Sequence, residues 1–206
     1  MPAAKEAASP KKRDAAATRA AILASARRAF ARSGYDGAGL REIAGEAGVT
    51  AMLVNRYFGS KEQLFEEVID HVMGEATILN DTMAGMGDLA DYITAGVLAT
   101  TKPDAAPLDG SLMMIRSSSS TRAAEIGRRQ IEKRHHKALT AALKGEHAAE
   151  RAAVMLSLIA GVQFMRQMVG LKALTKVDPD VLRQILTPVI QQLVEPAKPS
   201  KRKAGA

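Results

Sequence analysis

Apolar residues recur along most of this chain three and four positions apart, the spacing of helices with one buried face. Ile22, Leu23, Ala26, Ala29 and Phe30 form one such stripe and predict a helix over 18–33, stopped by Gly34. A short helix over 40–47, a turn at Gly48-Val49-Thr50 and a third helix over 51–58 follow, with Thr50 as N-cap. Ser60, with Gln63 three residues on, makes a capping box that opens a long helix over 61–79. Further helices are predicted over 88–101, 108–116, 122–144, 148–171 and 179–194. Residues 117–120, four serines, read as a break. Asp178-Pro179 suits the start of the last helix, and Pro188 predicts a kink or break inside it. Alternating β-branched runs and internal repeats are absent. The fold class is therefore all-α, with three helices in an N-terminal unit and six in a body.

The segment 40–58 carries the most informative spacing. Leu40 and Ile43 face inward, Ala44 sits where two helices cross and only a small side chain fits, and Gly48 takes the turn. Val49, Val54 and Tyr57 continue the apolar face. Two short helices joined by a glycine-bearing turn make a helix-turn-helix, whose second helix fits the DNA major groove. Thr50, Ala51, Met52, Asn55 and Arg56 point outward from it.

Charge changes the picture next. The chain has 206 residues and a formal charge of +7. Residues 1–61 carry 11 Lys/Arg against 5 Asp/Glu, and residues 62–197 carry 14 against 17. The last nine residues hold Lys198, Lys201, Arg202 and Lys203 and no acid. A basic N-terminal unit, pointing to a polyanion such as nucleic acid, thus precedes a mildly acidic body. Residues 1–14 and 196–206 read as disordered basic tails, which leaves 15–60 as the helix-turn-helix domain and 61–195 as the body. With no cysteine, a disulfide scaffold, a thiol nucleophile and cysteine-based metal sites are excluded. The longest mostly apolar run, 152–165, is about 14 residues, short of the roughly 20 that a membrane span needs. No secretory signal core follows Met1, so the expectation is a cytoplasmic protein without a membrane partner.

These residues resemble the tetracycline-repressor-like (TetR) family of bacterial transcription regulators. The resemblance rests on Ile22-Leu23-x-x-Ala26-x-x-x-Phe30, Gly34-Tyr35, Leu40-Arg41-Glu42-Ile43-Ala44-x-x-Ala47-Gly48-Val49-Thr50 and Tyr57-Phe58-x-Ser60-Lys61-Glu62-x-Leu64-Phe65. It implies a homodimer that binds a double-stranded, palindromic DNA operator and takes a small-molecule effector in its body. By position, it makes Thr50, Tyr57 and Lys61 phosphate contacts and turns Ala51, Met52 and Asn55 toward bases. Arg56 takes either role, and Arg41 joins the DNA-facing set. Where the family often has Thr-Thr this chain has Ala38-Gly39, which removes an N-cap and a phosphate-binding hydroxyl. Met52 and Asn55 stand where Gly and Tyr are frequent, so the operator is this chain's own. The resemblance implies a repressor released when effector binding shifts the body helices and pulls on 61–79. The alternative is a DNA-binding protein of the same fold without an effector.

Beyond Phe65 the resemblance is architectural. The family's last two helices commonly form a four-helix dimer interface. Residues 148–171 are apolar on most faces and must be buried on two sides. Leu156, Ile159 and Val162, with Leu182, Ile185, Val189 and Leu193 of the last helix, are the candidate dimer interface. Met83, Met86, Tyr92, Met113, Met114 and Phe164 are candidate effector contacts, with Gln163 and Arg166 as polar anchors if they face inward. The basic run Arg128, Arg129, Lys133, Arg134, His135, His136 and Lys137 reads as a solvated helix face, an anionic effector being its alternative. His135 and His136 point about 100° apart on a helix, so no metal is expected. Phosphate-cradling, zinc-protease and nucleophile-elbow motifs are missing, so neither an enzyme nor a cofactor is expected.

Overall fold

Apolar periodicity marks a helix only where a face is buried, and the first helix shows the consequence. The computed structural model describes residues 10–75, 78–79, 83, 85–102 and 109–195, with side chains from Asp14 onward. Its first helix, α1, is Pro10–Gly37, starting about two turns before the predicted span of 18–33 because Asp14 to Ala17 are exposed and carry no apolar stripe. Residues 10–14, expected to be disordered, are thus helical, with Pro10 at the first position, where its missing N–H costs nothing. Residues 1–9 and 196–206, the rest of the two expected tails, lie outside the described residues. The remaining helices are α2 (Leu40–Glu46), α3 (Ala51–Phe58), α4 (Lys61–Glu75), α5 (Leu89–Thr100), α6 (Asp109–Arg116) and α7 (Thr121–Ile131). Then follow α8 (Lys137–Ala142), α9 (Ala148–Gln163), α10 (Lys172–Thr175) and α11 (Pro179–Val194). One-turn π segments, Glu132–His136 and Phe164–Met168, lie between α7 and α8 and after α9. The helix expected over 122–144 therefore bulges in its middle and ends at Ala142. The short α10 was not foreseen.

Packing divides the chain into two compact units, residues 1–74 with 108–129, and 75–107 with 130–206. The expected boundary after residue 60 differs from this grouping, because α4, α6 and most of α7 pack with the helix-turn-helix. In the first unit α1 packs most extensively on α6. Ile22, Ala26, Ala29 and Phe30 of α1 are fully buried, as are Leu64, Phe65 and Ile69 of α4. Phe30 meets Phe65 edge-on at 4.9 Å between ring centroids, and Tyr35 meets Phe65 at 5.1 Å. Such aromatic pairs add about 0.5–1.5 kcal/mol each beyond their buried area.

Gly34 ends the regular part of α1 with φ +69°, and a Cβ there would strike the Arg116 carbonyl. Around that close approach the Arg116 guanidinium donates to the Ala31 carbonyl, and the Tyr35 N–H donates to Ser117 Oγ at 2.9 Å. Ser120 Oγ donates to Asp36 Oδ1 at 3.3 Å. The serine break thus holds the end of α1 as well as interrupting the helix. Arg122 and Arg129 of α7 pair with Glu62 and Glu66 of α4.

In the second unit Met83, Leu89, Ile93 and Val97 pack with Leu139, Met155 and Ile190 in one core. Helix α9 and its π segment, Ala148–Met168, run 21 residues. That is longer than the apolar run read from sequence, and by length and composition alone such a helix could cross a membrane. Two buried arginines within it argue for packing instead. Arg151 donates to the carbonyls of Glu146, Lys144, Leu193 and Val194. Arg166 donates to Thr101 Oγ1 and to the Leu174 carbonyl. Helix α11 runs through Pro188 unbroken. Gln184, whose carbonyl would accept the missing N–H, is exposed and can be hydrated.

Of the candidate dimer residues, Leu156, Ile159, Val162 and Leu193 are half-buried against this unit's own core. Leu182 is buried, whereas Ile185 and Val189 are 58% and 45% exposed. Arg183 of α11 grips Asp91 of α5 through Nε and Nη2, and this guanidinium holds the Asp91 carboxyl below the usual carboxylate range. A depressed folded-state pKa contributes stability above the unfolded value, about 4, and loses it as pH falls through the folded value. Arg183→Gln should therefore lower the urea midpoint at pH 7, with the gap to the parent closing on acidification below about pH 4.

Candidate nucleic-acid interface

Short helices need local help, because their end groups outnumber their internal hydrogen bonds. Helix α2 has no hydroxyl at its N-cap, Gly39, but the Glu42 carboxylate reaches back to accept the Gly39 N–H at 3.5 Å. Half of a capping box thus stands in for the absent threonine. The turn that follows is set by Gly48 at φ +69°, with the Val49 N–H donating to the Ala44 carbonyl at 2.9 Å. Ala44 is buried. Thr50 then caps α3, its hydroxyl accepting the Leu53 N–H at 3.3 Å. Val54 and Phe58 plant α3 on the unit, and the Arg19 guanidinium lies over the Phe58 ring at 4.9 Å while pairing with Glu67. Sequence reading had no role for Arg19, because the partners it joins are 39 and 48 residues away.

The opposite face of α3 is open. Met52 is 82% exposed, Asn55 and Arg56 are exposed, and Ala51 and Tyr57 are half-buried beside them. Most arginines of the N-terminal segment are neutralised by neighbours: Arg27 by Asp109, Arg28 by Glu46, and Arg32 by both Glu42 and Glu46. Among the described residues, Arg41 and Arg56 are exposed and pair with no acid, so their charge is available to a ligand. Lys61 opens α4 with its ammonium 4.9 Å from the Tyr35 ring centre, donating to the Asp36 carbonyl at 3.3 Å. Burial there pulls its pKa below the ordinary lysine value, against the opposing pull of Asp36. All eight residues expected to face DNA thus lie on or beside one helix-turn-helix, half-buried or exposed.

The candidate effector residues are not brought together as a set. Met83 and Tyr92 belong to the core of the second unit, and Gln163 and Arg166 are buried in that unit at the end of α9. Met86 and Phe164 are 39% and 36% exposed. Met113, fully buried, and Met114, half-buried, belong to the first unit, since α6 docks on α1. A cleft of about 220 Å³ between α1 and α4, lined by Ala20, Leu23, Ala24, Arg27, Val68, His71 and Val72, contains none of them.

A capped recognition helix with exposed polar and cationic residues, on an all-helical chain, defines a helix-turn-helix DNA-binding protein. Residues 22–68 match the model for bacterial regulatory proteins of the TetR family, and residues 88–194 match the tetracyclin repressor-like C-terminal domain. The second match alone spans more than half of the chain, which therefore belongs to the TetR family and is a DNA-binding transcriptional regulator. Among curated proteins none matches significantly. Solved structures share the fold. A TetR-family regulator from Streptomyces coelicolor A3 is 24% identical, with a TM-score of 0.57 over 93% of this chain and 99% of its own. The multidrug binding protein EbrR, complexed with ethidium, is 15% identical, with a TM-score of 0.62 over 86% and 98%. AibR, in complex with isovaleryl coenzyme A and operator DNA, is 14% identical, with a TM-score of 0.58 over 84% and 97%.

Replacing the Thr50 cap tests the local construction of the site. Thr50→Ala should cost about 1 kcal/mol of stability. Its calorimetric melting temperature should fall by roughly 2–4 °C.

Proposed function

We propose that this chain is a homodimeric repressor that a small molecule releases from a palindromic operator. The observation that carries the DNA-binding half is the recognition face itself: Met52 and Asn55 in solvent, flanked by the unpaired cations Arg41 and Arg56. Asn55 has the donor and acceptor needed for an adenine edge, and Met52 the apolar surface for a thymine methyl. Thr50, Tyr57 and Lys61 would contact phosphates, which fix register without reading sequence.

A dimer is supported by apolar surface that one chain leaves open. Val181, Ile185 and Val189, four residues apart, form an exposed stripe on α11, and Val154 and Met165 are exposed on α9 and its π segment. Exposed apolar residues aligned on one helix face are the kind of surface that interaction sites use, which supports burial of this stripe against a second copy. Two copies joined there would present two recognition helices to half-sites about 34–36 Å apart. Ligand-bound relatives, EbrR with ethidium and AibR with isovaleryl coenzyme A, support an effector. The body would pass the effector's displacement through α4 to the recognition helices, so that a small change in their spacing weakens binding.

Operator-shift assays with and without small molecules test the whole reading; operator affinity indifferent to every ligand would favour the effector-free alternative. In the same assay Lys61→Gln or Arg56→Gln should weaken all sequences and lower the slope of log affinity against log salt by about 1. Asn55→Ala should instead change which sequence is preferred. Ile185→Asp should convert a dimer into a monomer in light scattering at micromolar concentration, and an unchanged mass would remove α11 from the interface.

A further inference from the structure

Lys61, the cation that opens α4, is not aimed by α4 alone. Its ammonium lies 4.9 Å from the centre of the Tyr35 ring and donates to the Asp36 carbonyl at 3.3 Å. Both partners stand just past the break in α1, where Gly34 adopts φ +69° and ψ −177°. A regular helix fixes each residue by bonding its N–H to the carbonyl four residues back, and at the break other partners enter. The Ala31 carbonyl, which a regular helix would offer to the Tyr35 N–H, accepts the Arg116 guanidinium. The Tyr35 N–H donates to Ser117 Oγ at 2.9 Å.

The groups that fix Tyr35 and Asp36 thus come from the turn between α6 and α7. Ser117 and Ser120 are both buried, and Ser120 Oγ donates to Asp36 Oδ1 at 3.3 Å. On the other flank Arg122, in the first turn of α7, pairs with Glu62, the residue after Lys61. The backbones approach closely at Gly34, where a Cβ would strike the Arg116 carbonyl. All of these residues belong to the first unit, so the clasp lies within one packed body. Yet Ser117, Ser120 and Arg122 fall within residues 88–194, the stretch that matches the tetracyclin repressor-like C-terminal domain.

We infer that Ser117 and Ser120 are positioning residues for the DNA contact of Lys61: the α6–α7 turn holds Tyr35 and Asp36, and these two hold the ammonium. Residues of the C-terminal domain thereby set how a phosphate contact is presented, by a path separate from displacement of α4. The physical reason is that a backbone N–H must keep a partner. Without the Ser117 hydroxyl the Tyr35 N–H turns toward another acceptor, and the Tyr35 ring and the Asp36 carbonyl turn with it. Lys61 then loses the two groups that hold its long side chain in one direction, and ordering it against a phosphate costs rotamer entropy. This inference rests on the reading of Lys61 as a phosphate contact.

The test uses the full chain and a DNA duplex that the full chain itself selects from a random-sequence pool, with affinity followed by fluorescence anisotropy over a range of salt. Lys61→Gln should lower the slope of log affinity against log salt by about 1. Ser117→Ala should weaken binding about three-fold or more and lower the slope in the same direction, yet have no further effect in the Lys61→Gln background. A merely structural role does not produce that non-additivity, since a general loss of stability acts in both backgrounds. Ser117→Ala that leaves affinity unchanged, tightens it, or weakens both backgrounds equally overturns the inference. Ser120→Ala, which removes the bond to Asp36, serves the same cycle under the same criteria where Ser117→Ala does not fold. The two readings separate in the Lys61→Gln arm. If Lys61→Gln alone changes neither affinity nor slope, Lys61 is no phosphate contact and both readings fall. If it weakens binding and the cycle is additive, the phosphate contact stands and the positioning role falls.

Discussion

Phe30 and Phe65 meet edge to face at the centre of the first unit, and the recognition surface is built outward from that contact. Phe30 is on α1 and Phe65 on α4, so their packing sets where the end of one helix lies against the beginning of the other. Tyr35 extends the cluster, and its ring carries the Lys61 ammonium. The first turn of α4 is therefore held by the same aromatic packing that stabilises the core. Helices α2 and α3 fill the space between, with Ile43, Ala44, Val54 and Phe58 buried beneath them. A seven-residue and an eight-residue helix have little stability alone, and here tertiary burial and local caps together hold them.

Charge in this unit divides by function. The first 61 residues carry a basic excess, yet Arg19, Arg27, Arg28 and Arg32 are bound to carboxylates of the same unit. Exposed pairs of this type add little stability individually, but they orient α2 and α4 against α1. Among the described side chains, what remains for a polyanion is a smaller set beside α3, chiefly Arg41 and Arg56, with Lys61 partly engaged by Tyr35 and Asp36. Net charge alone overstates the attraction at this face and says nothing of where it acts.

The buried arginines of the second unit follow the same logic at lower dielectric. Arg151 finds four carbonyl partners and closes the end of α11, so its charge is absorbed by the fold. Arg166, in the π segment that follows α9, donates instead to the Leu174 carbonyl and the Thr101 hydroxyl. Two residues of one type, fifteen positions apart on nearly the same helix, are thus satisfied by different partners.

Where information is local, the sequence by itself determined the outcome. Gly48 needs a positive φ, Thr50 needs an N–H three residues on, and Ala44 needs to be small, and all three requirements lie within ten residues. The helix-turn-helix and its outward face were legible for that reason. The first turns of α1 were not, because a solvated helix leaves no apolar period. Tertiary structure decided the rest. It placed Met113 and Met114 with the first unit and Met83 with the second, and made Leu182 core while leaving Ile185 and Val189 open. It also turned Arg166 inward through a π bulge that shifts the helical register. These outcomes depend on which distant helices pack together, and a side chain's burial is set by partners that no spacing along the chain reveals.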